Sequence, residues 1–189
     1  FLMPGADFRP YTRLMVDPTQ AAFKKDWLKS VNEDRRMSDR VTPEHAEKML
    51  EAARTNFDDI FVEAFRKAGY EIVTTPGPDV LRVSTAVINL YVNAPDTMSA
   101  GRSYSYTMEA GEATLVIEVR DSMTGALMGR VLDRRMTRGA GRLQMTTSVS
   151  NQAEFRSLFR QWADIAAKGL DELKAQSPVP ADLQPKQKL

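Results

Sequence analysis

Alternating apolar and polar positions between Gly111 and Met136 predict a β-hairpin. The two alternating runs are separated by a short polar segment from Asp121 to Gly125. Asp121 suits the first position of a turn because its carboxylate can accept backbone N–H bonds. Gly125 can adopt the positive φ that closes such a turn. The pattern therefore predicts two antiparallel strands with residues 121–125 at their tip.

The register that we expect for this hairpin gives it one apolar face. Leu115 then lies opposite Val131, and Gly129 lies opposite Ile117, where the missing side chain lets another element approach the sheet. The opposite face carries three charged residues, which are Glu118, Arg120 and Arg130.

Apolar residues at helical spacing predict two long helices. The first helix spans Pro43–Ala68, with Thr42 as its N-cap and Gly69 at the position that commonly ends a helix. The second helix begins near Asn151, where Glu154 is placed to complete a capping box. Both helices have one apolar side, so we expect both to pack on a sheet.

Three further strands precede the hairpin, at Tyr11–Asp17, Tyr70–Thr74 and Val80–Val92. Residues 21–28 receive no firm assignment, and residues 33–40 are predicted to be a surface loop. A strand, a long helix and a second strand in succession indicate a crossover with those two strands parallel, and we expect the later neighbours to be antiparallel. The fold class is therefore α+β: a mixed, mostly antiparallel sheet of about five strands with two long helices packed on one face. We expect a single domain over residues 1–175 and a disordered tail over residues 176–189.

The composition of the chain excludes several kinds of protein and of binding site. The chain has 189 residues, a net charge of +1 and no cysteine. The charge balance argues against a nucleic-acid binder, and the missing cysteines exclude disulfides and thiolate metal sites. No apolar run reaches the ~20 residues that span a bilayer. Because the chain begins at Phe1 and not at Met, we expect that a natural segment, such as a signal sequence, precedes it.

The sequence offers no catalytic constellation that we recognise. It has no nucleophile elbow, phosphate loop, dinucleotide fingerprint or metal motif. His45 is the single histidine, and general acid–base catalysis needs a positioned partner. The carboxylates of Asp58, Asp59 and Glu63 are expected on the polar side of the first helix. We therefore predict a protein that is not an enzyme and has no cofactor, no metal and no catalytic residue.

Two groups of residues are candidates for ligand binding. The first is a basic segment, because arginine suits carboxylate and phosphate groups; it comprises Arg130, Arg134, Arg135, Arg138 and Arg142. The second is the pair Tyr104 and Tyr106, which share one side of an extended chain and could stack on a ligand. The alternatives are an ordinary strand face with a loop for the arginines, and sheet packing for the tyrosines.

Several short motifs occur in a recognisable order and spacing. They are Thr42-Pro43-Glu44, Gly69-Tyr70, Pro76-Gly77-Pro78-Asp79, Asn93-Ala94-Pro95-Asp96, Gly111-Glu112-Ala113, Asp121-Ser122-Met123-Thr124-Gly125 and Asp133-Arg134-Arg135. Together, from about Asp7 to Leu173, they resemble a family of bacterial lipoproteins described as domain of unknown function 3313. The resemblance implies an exported protein held in an envelope membrane by an acylated cysteine, which would lie upstream of Phe1. It implies no reaction.

The leading functional hypothesis is a non-enzymatic, periplasm-facing envelope module that binds a partner or assists assembly. Its partner would be an envelope protein, the cell wall or anionic lipid. The alternative is a carrier of a small apolar or lipid ligand between the long helix and the sheet. An exposed patch would favour the first hypothesis and a deep apolar pocket the second.

Overall fold

The computed structural model describes residues 1–92, 105–107, 109–138, 144–146 and 148–180, and the side chains among these outside 105–110 and 137–152. The described elements, in chain order, are β1 (Arg13–Val16), β2 (Gln20–Phe23), α1 (Trp27–Asn32), a 3₁₀ turn (Met37–Asp39), α2 (Pro43–Lys67), β3 (Glu71–Ile72), β4 (Val80–Val92), β5 (Ser105–Thr107), β6 (Glu109–Asp121), β7 (Leu127–Arg138), β8 (Gln144–Thr146) and α3 (Ser148–Ala175).

Six of the described strands form one mixed sheet. Its order is β3-β1-β4-β6-β7, and β2 pairs with β4 beyond the end of β1. The long strands β4, β6 and β7 are antiparallel, whereas β1 is parallel to both β3 and β4. The predicted α+β class is confirmed, with six strands in the sheet instead of about five. β5 and β8 form a separate antiparallel pair.

The core lies between the sheet and the two long helices, which pack on the same face. Phe57 and Phe61 of α2 and Trp162 of α3 are at most 2% exposed. The ring of Phe57 meets the ring of Phe159 edge to face, with centroids 5.2 Å apart. Because aromatic side chains bury large apolar areas, this contact joins α2 to α3 above the sheet.

The predicted α2 is confirmed almost to the residue. The hydroxyl oxygen of Thr42 accepts a hydrogen bond from the backbone N–H of His45 at 3.2 Å, and Gly69 has a φ of 93°. Both features are local, so the sequence around each helix end is sufficient to predict them.

Residues 21–28, which received no firm assignment, contain most of β2 and the start of α1, and the predicted surface loop of residues 33–40 includes a short 3₁₀ turn. Two predictions about the elements are wrong. β3 and β4 are both parallel to β1 and lie on its two sides, although seven residues join them. The helix α3 begins at Ser148, so Asn151 lies inside it and is not its N-cap.

The predicted disordered tail is wrong for residues 177–179. The backbone N–H of Val179 donates to the carbonyl of Ala6 at 2.8 Å, and that of Gly5 donates to the carbonyl of Val179 at 2.9 Å. Val179 is 4% exposed, and the hydroxyl of Ser177 accepts from the backbone N–H of Phe8. This segment is therefore packed on the N-terminal lead-in, while residues 181–189 lie outside the described residues.

The hairpin prediction is right in topology and faces and wrong in register. Leu115 pairs with Asp133 and not with Val131, and Gly129 pairs with Val119 and not with Ile117. At the tip the pairing is already one residue away from the expected register, and a bulge between Val119 and Arg120 adds one more, so the shift beyond the bulge is two residues. Since side chains alternate with a period of two, an even shift leaves each side chain on its expected face.

The tip of the hairpin has the predicted turn chemistry. One carboxylate oxygen of Asp121 accepts from the backbone N–H groups of Met123 and Thr124, at 3.1 and 2.7 Å. Gly125 has a φ of 72°. The other oxygen of Asp121 accepts from the hydroxyl of Tyr11 at 2.8 Å, which ties the tip to the start of β1.

Candidate functional site

The two long helices cover only one face of the sheet, and we call the opposite side of β4, β6 and β7 the open face. Strand alternation assigns its residues, which are Arg82, Ser84, Ala86 and Ile88 of β4, Glu112, Thr114, Val116, Glu118 and Arg120 of β6, and Arg130, Leu132, Arg134 and Met136 of β7. The indole N–H of Trp162 in α3 donates a hydrogen bond to the carboxylate of Asp133, which lies on the other side of β7. This contact identifies the helix-covered face. Leu132 and Met136 of β7 are 64% and 49% exposed and therefore accessible, whereas Glu112 and Thr114 of β6 are buried at 9% and 7%.

The first charged group of the open face centres on Glu118. Its two carboxylate oxygens accept from the guanidinium of Arg120 at 2.8 Å and from that of Arg130 at 2.5 Å. The bond from Arg120, followed by that from Arg130, lowers the pKa of Glu118. Arg120 also donates to the carbonyl of Gly125 at 3.0 Å, so it is held by the turn as well as by the carboxylate.

The second group centres on Glu112, which is 9% exposed. Its carboxylate accepts from the Nζ of Lys24 and from the Nη2 of Arg134, both at 2.7 Å. These two bonds, the one from Lys24 being the stronger influence, lower the pKa of Glu112. The Nζ of Lys24 lies 5.7 Å from the centroid of the Tyr91 ring, within cation–π range. One buried carboxylate thus connects the end of β2 to β7 across the sheet.

The third group lies at the β1 end of the open face. Asp17 accepts from the Nε of Arg82 at 2.9 Å and from the hydroxyl of Ser84 at 2.5 Å. Burial of Asp17 would raise its pKa, but the bonds from Arg82 and Ser84 outweigh burial, and the pKa is lowered. Each described cation of these three groups is therefore in contact with a carboxylate.

The structure does not gather the predicted basic segment into one patch. Arg130 and Arg134 lie on the open face, whereas Arg135 lies on the helix-covered face. There Arg135 donates to Asp133 at 2.8 Å and to Gln161 of α3 at 3.2 Å. Alternation along β7 separates neighbouring arginines in this way.

The other predicted binding residues are only partly within the described chain. Arg138 ends β7 and Tyr106 lies in β5, but their side chains are outside the described residues. Arg142 and Tyr104 lie outside the described residues entirely. Ligand binding by these four side chains therefore stays a prediction.

Sequence reasoning did not single out Glu112, Lys24 or Asp17. Alternation along β6 could have placed Glu112 on the same face as Glu118, because they are six residues apart. No comparable signal connects Lys24 to Glu112, since 88 residues separate them. Their contact depends on the parallel pairing of β2 with β4.

The described residues hold no group of three histidine, cysteine, aspartate or glutamate side chains that could bind a metal ion. No described helix combines the length and the apolarity that a membrane crossing requires. Between α2 and the sheet, the fully buried rings of Phe57 and Phe61 occupy the space in which the carrier hypothesis places a ligand. The described packing therefore does not favour that hypothesis.

Comparison with known proteins identifies a family. The family model described as "Protein of unknown function (DUF3313)" matches residues 1–166. A search of curated proteins found no significant match.

Solved structures with a similar chain path have very different sequences. A DUF330 protein from Xanthomonas campestris is 14% identical, with a TM-score of 0.47 over 94% of this chain and 96% of that one. A PelC dodecamer from Paraburkholderia phytofirmans is 12% identical, with a TM-score of 0.41 over 87% and 94%. A Helicobacter pylori homolog of neuraminyllactose-binding hemagglutinin is 7% identical, with a TM-score of 0.41 over 93% and 94%. Likenesses this distant carry no argument about what this chain binds.

Proposed function

We propose a binding function for this chain, which belongs to the family of proteins of unknown function DUF3313. It is a non-enzymatic accessory module whose open face contacts a protein partner in the bacterial envelope. Its place is the periplasmic side, held by a lipid anchor upstream of Phe1, as the resemblance to exported lipoproteins implies. The observation that supports this function best is the open face itself, where ordered ion pairs surround exposed apolar side chains.

The composition of the open face favours a protein partner over a polyanion. Its three charged groups contain five cations, Lys24, Arg82, Arg120, Arg130 and Arg134, and three carboxylates, Asp17, Glu112 and Glu118. An excess of two positive charges attracts anionic lipid weakly, since each basic residue near a membrane contributes about 1 kcal/mol. Arginine and methionine beside apolar residues are typical of protein interfaces.

Site-specific photo-crosslinking tests this function. A photoreactive residue is placed at Val116, in the middle of the open face, and the cross-linked products of whole cells are separated. We expect a discrete adduct with an envelope protein. The matched control carries the same residue at Met37, which is 85% exposed and lies in the 3₁₀ turn away from the sheet. No adduct at residue 116, or an equal adduct at residue 37, would contradict the proposal.

The competing partners are anionic lipid and the cell wall. Co-sedimentation with anionic vesicles, neutral vesicles and purified peptidoglycan, at low and high salt, distinguishes them. The double variant Arg130→Gln, Arg134→Gln is compared with a control at two exposed arginines outside the open face, Arg36→Gln, Arg66→Gln. We expect little salt-sensitive binding of the protein to the vesicles or to peptidoglycan. The two double variants should bind to the same extent. Strong binding to vesicles or peptidoglycan that the open-face variant abolishes would contradict the proposal of a protein partner. It would show that the open face binds one of these polyanions.

A further inference from the structure

On β6, the half of the open face nearest the hairpin tip is the more accessible half. The side chain of Glu112, at the far end of the strand, is 12% exposed. The side chains of Glu118 and Arg120, toward the tip, are 22% and 34% exposed. Beside them on β4, the side chain of Arg82 is 48% exposed. A partner can therefore contact the side chains near the tip more readily than Glu112.

Two arginines lie side by side near the tip. Arg82 of β4 is directly opposite Arg120 of β6 in the antiparallel pairing of these strands. Directly opposite residues have Cβ atoms about 5 Å apart, and like charges at such positions destabilise a sheet. We call these two residues the arginine pair. An anion bound between the two guanidinium groups would offset their repulsion.

Carboxylates on either side hold the arginine pair in place. Asp17 accepts from the Nε of Arg82 at 2.9 Å, and Glu118 accepts from the Nη2 of Arg120 at 2.8 Å. The Nη1 of Arg120 also donates to the carbonyl of Gly125 at 3.0 Å. Because both side chains are already ordered, a ligand that binds them loses less side-chain entropy.

The nearby acceptors are occupied, whereas several donors of the arginine pair are not. Both carboxylate oxygens of Asp17 contact Arg82. The two oxygens of Glu118 contact Arg120 and Arg130. No described residue accepts from Nη1 or Nη2 of Arg82, or from Nε of Arg120. The surface at the arginine pair therefore offers mainly N–H donors to a ligand.

The charge balance around the arginine pair favours a ligand with a single negative charge. Three arginines, Arg82, Arg120 and Arg130, surround two carboxylates, Asp17 and Glu118, which leaves one positive charge. A carboxylate would neutralise this charge, whereas a phosphate, with about 1.5 to 2 negative charges, would exceed it. The planar fork of a guanidinium also matches the two oxygens of a carboxylate.

An apolar pair lies on the same face, four residues farther along each strand. Ala86 of β4 is directly opposite Val116 of β6, and both residues are partly exposed. Four residues of a strand span about 13 Å. A ligand that carries a carboxylate and an apolar side chain at this separation would contact both pairs at once.

We propose that the arginine pair binds a carboxylate side chain of the protein partner, while an apolar side chain of the same partner packs on Ala86 and Val116. In an extended segment of the partner, the two side chains are four residues apart, because such a segment has the same rise per residue as β6. This site deepens the proposed binding function and rests on it, since it states the chemistry of the partner.

The probe is the capped peptide acetyl-Glu-Thr-Thr-Thr-Leu-amide, titrated into the isotope-labelled whole chain and followed by nuclear magnetic resonance. The Nε–H signals of Arg82 and Arg120 and the amide signal of Val116 should shift and saturate at millimolar peptide, while the amide of Met37 should not shift. A peptide with glutamine in place of glutamate should bind about three- to ten-fold more weakly, because it loses charged hydrogen bonds at a partly exposed site. No shift of the arginine signals, or equal binding of the glutamine peptide, would overturn the proposal.

Arg120→Gln tests the arginine pair in the protein, because Glu118 keeps its contact with Arg130 in this variant. It should weaken binding of the glutamate peptide about three- to ten-fold, with circular dichroism verifying the fold. Arg120→Lys keeps the charge but loses the planar fork, so it should weaken binding less. The control Arg36→Gln removes an exposed cation outside the open face and should leave binding unchanged. Unchanged binding by Arg120→Gln, or equal weakening by Arg36→Gln, would overturn the assignment.

Three further outcomes separate this site from its alternatives. We expect inorganic phosphate to shift the two arginine signals at no lower concentration than acetate does. Tighter binding of phosphate would assign the pair to a phosphate group and overturn the carboxylate proposal. A cross-linked adduct at residue 116 without peptide binding would also overturn it, and would leave the binding function of the open face intact. Peptide binding without any adduct at residue 116 would support the carboxylate site and contradict the function of the open face.

Discussion

Phe61 lies in the middle of the core and is fully buried. Its ring contacts those of Phe57 and Phe65, with centroids 5.4 and 4.8 Å away. Phe61→Ala removes these contacts and leaves a cavity, so it should lower the free energy of unfolding by about 3–5 kcal/mol. Chemical denaturation measures the loss. Phe1→Ala, at a side chain that is 62% exposed, is the control and should change stability by less than about 0.5 kcal/mol. A loss below about 1 kcal/mol for Phe61→Ala would contradict this account of the core.

Glu112 should make the stability of the protein depend on acid pH. Lys24 and Arg134 lower its pKa in the folded state below the ordinary value of 4.5. The ionised carboxylate therefore stabilises the fold above pH 4.5, and that contribution is lost as the pH falls through the folded pKa. Glu112→Gln should cost about 1.5–3 kcal/mol at neutral pH, because it weakens two charged hydrogen bonds.

The measurement for Glu112 is denaturation at several pH values. The difference in stability between the wild type and Glu112→Gln should shrink as the pH falls from about 5 to about 3. Glu63→Gln is the control, since Glu63 also pairs with a lysine but its side chain is 63% exposed, and it should cause no measurable change. A difference for Glu112→Gln that stays constant with pH would mean that the ionisation of Glu112 does not stabilise the fold.

Single residues were predictable where their role is local. Asp121 and Gly125 form the predicted turn because both roles depend on neighbouring peptide groups. The bond from Tyr11 to Asp121 was not predictable, since 110 residues separate the two. Burial and this bond raise the pKa of Tyr11 to about 12.

At the scale of elements, long and strongly periodic segments were predictable and short ones were not. The predicted β4 has the observed bounds, and α2 ends one residue earlier than predicted. β2 and α1 have four and six residues, too few for a period to be visible. Their structure depends on tertiary contacts, among them the stacking of Phe23 on Trp27 at 3.7 Å.

The segment after α3 gives a second test at this scale. Val179 is 4% exposed against the N-terminal lead-in, whereas Val131 on β7 is 57% exposed. Val179→Ala removes two buried carbon atoms and should cost about 1–2 kcal/mol, at about 0.8 kcal/mol for each. Val131→Ala, the same chemical change, should stay within about 0.5 kcal/mol. Equal losses in urea denaturation would show that residues 177–179 do not pack as described.

For the whole molecule, the fold class was predictable and the arrangement of the site was not. The order of periodic segments is enough to predict a sheet with two helices on one face. The arginines are consecutive in sequence, yet Arg134 and Arg135 lie on opposite faces of β7. Arg135 pairs with Asp133, two residues before it on the same strand, which is a local contact. Arg134 pairs with Glu112 of β6, 22 residues away, and no local pattern shows that contact.

We propose that the open face contacts a partner in the cell, and oxidation of the native methionines tests this contact. Met136 lies on the open face, while Met37 in the 3₁₀ turn and Met123 at the hairpin tip lie outside it; their exposed fractions are 49%, 85% and 64%. Hydroxyl-radical oxidation of each methionine is compared between the purified protein and the protein in intact cells. We expect Met136 to be protected in cells relative to Met37 and Met123. Oxidation of Met136 that is unchanged relative to the other two would contradict it.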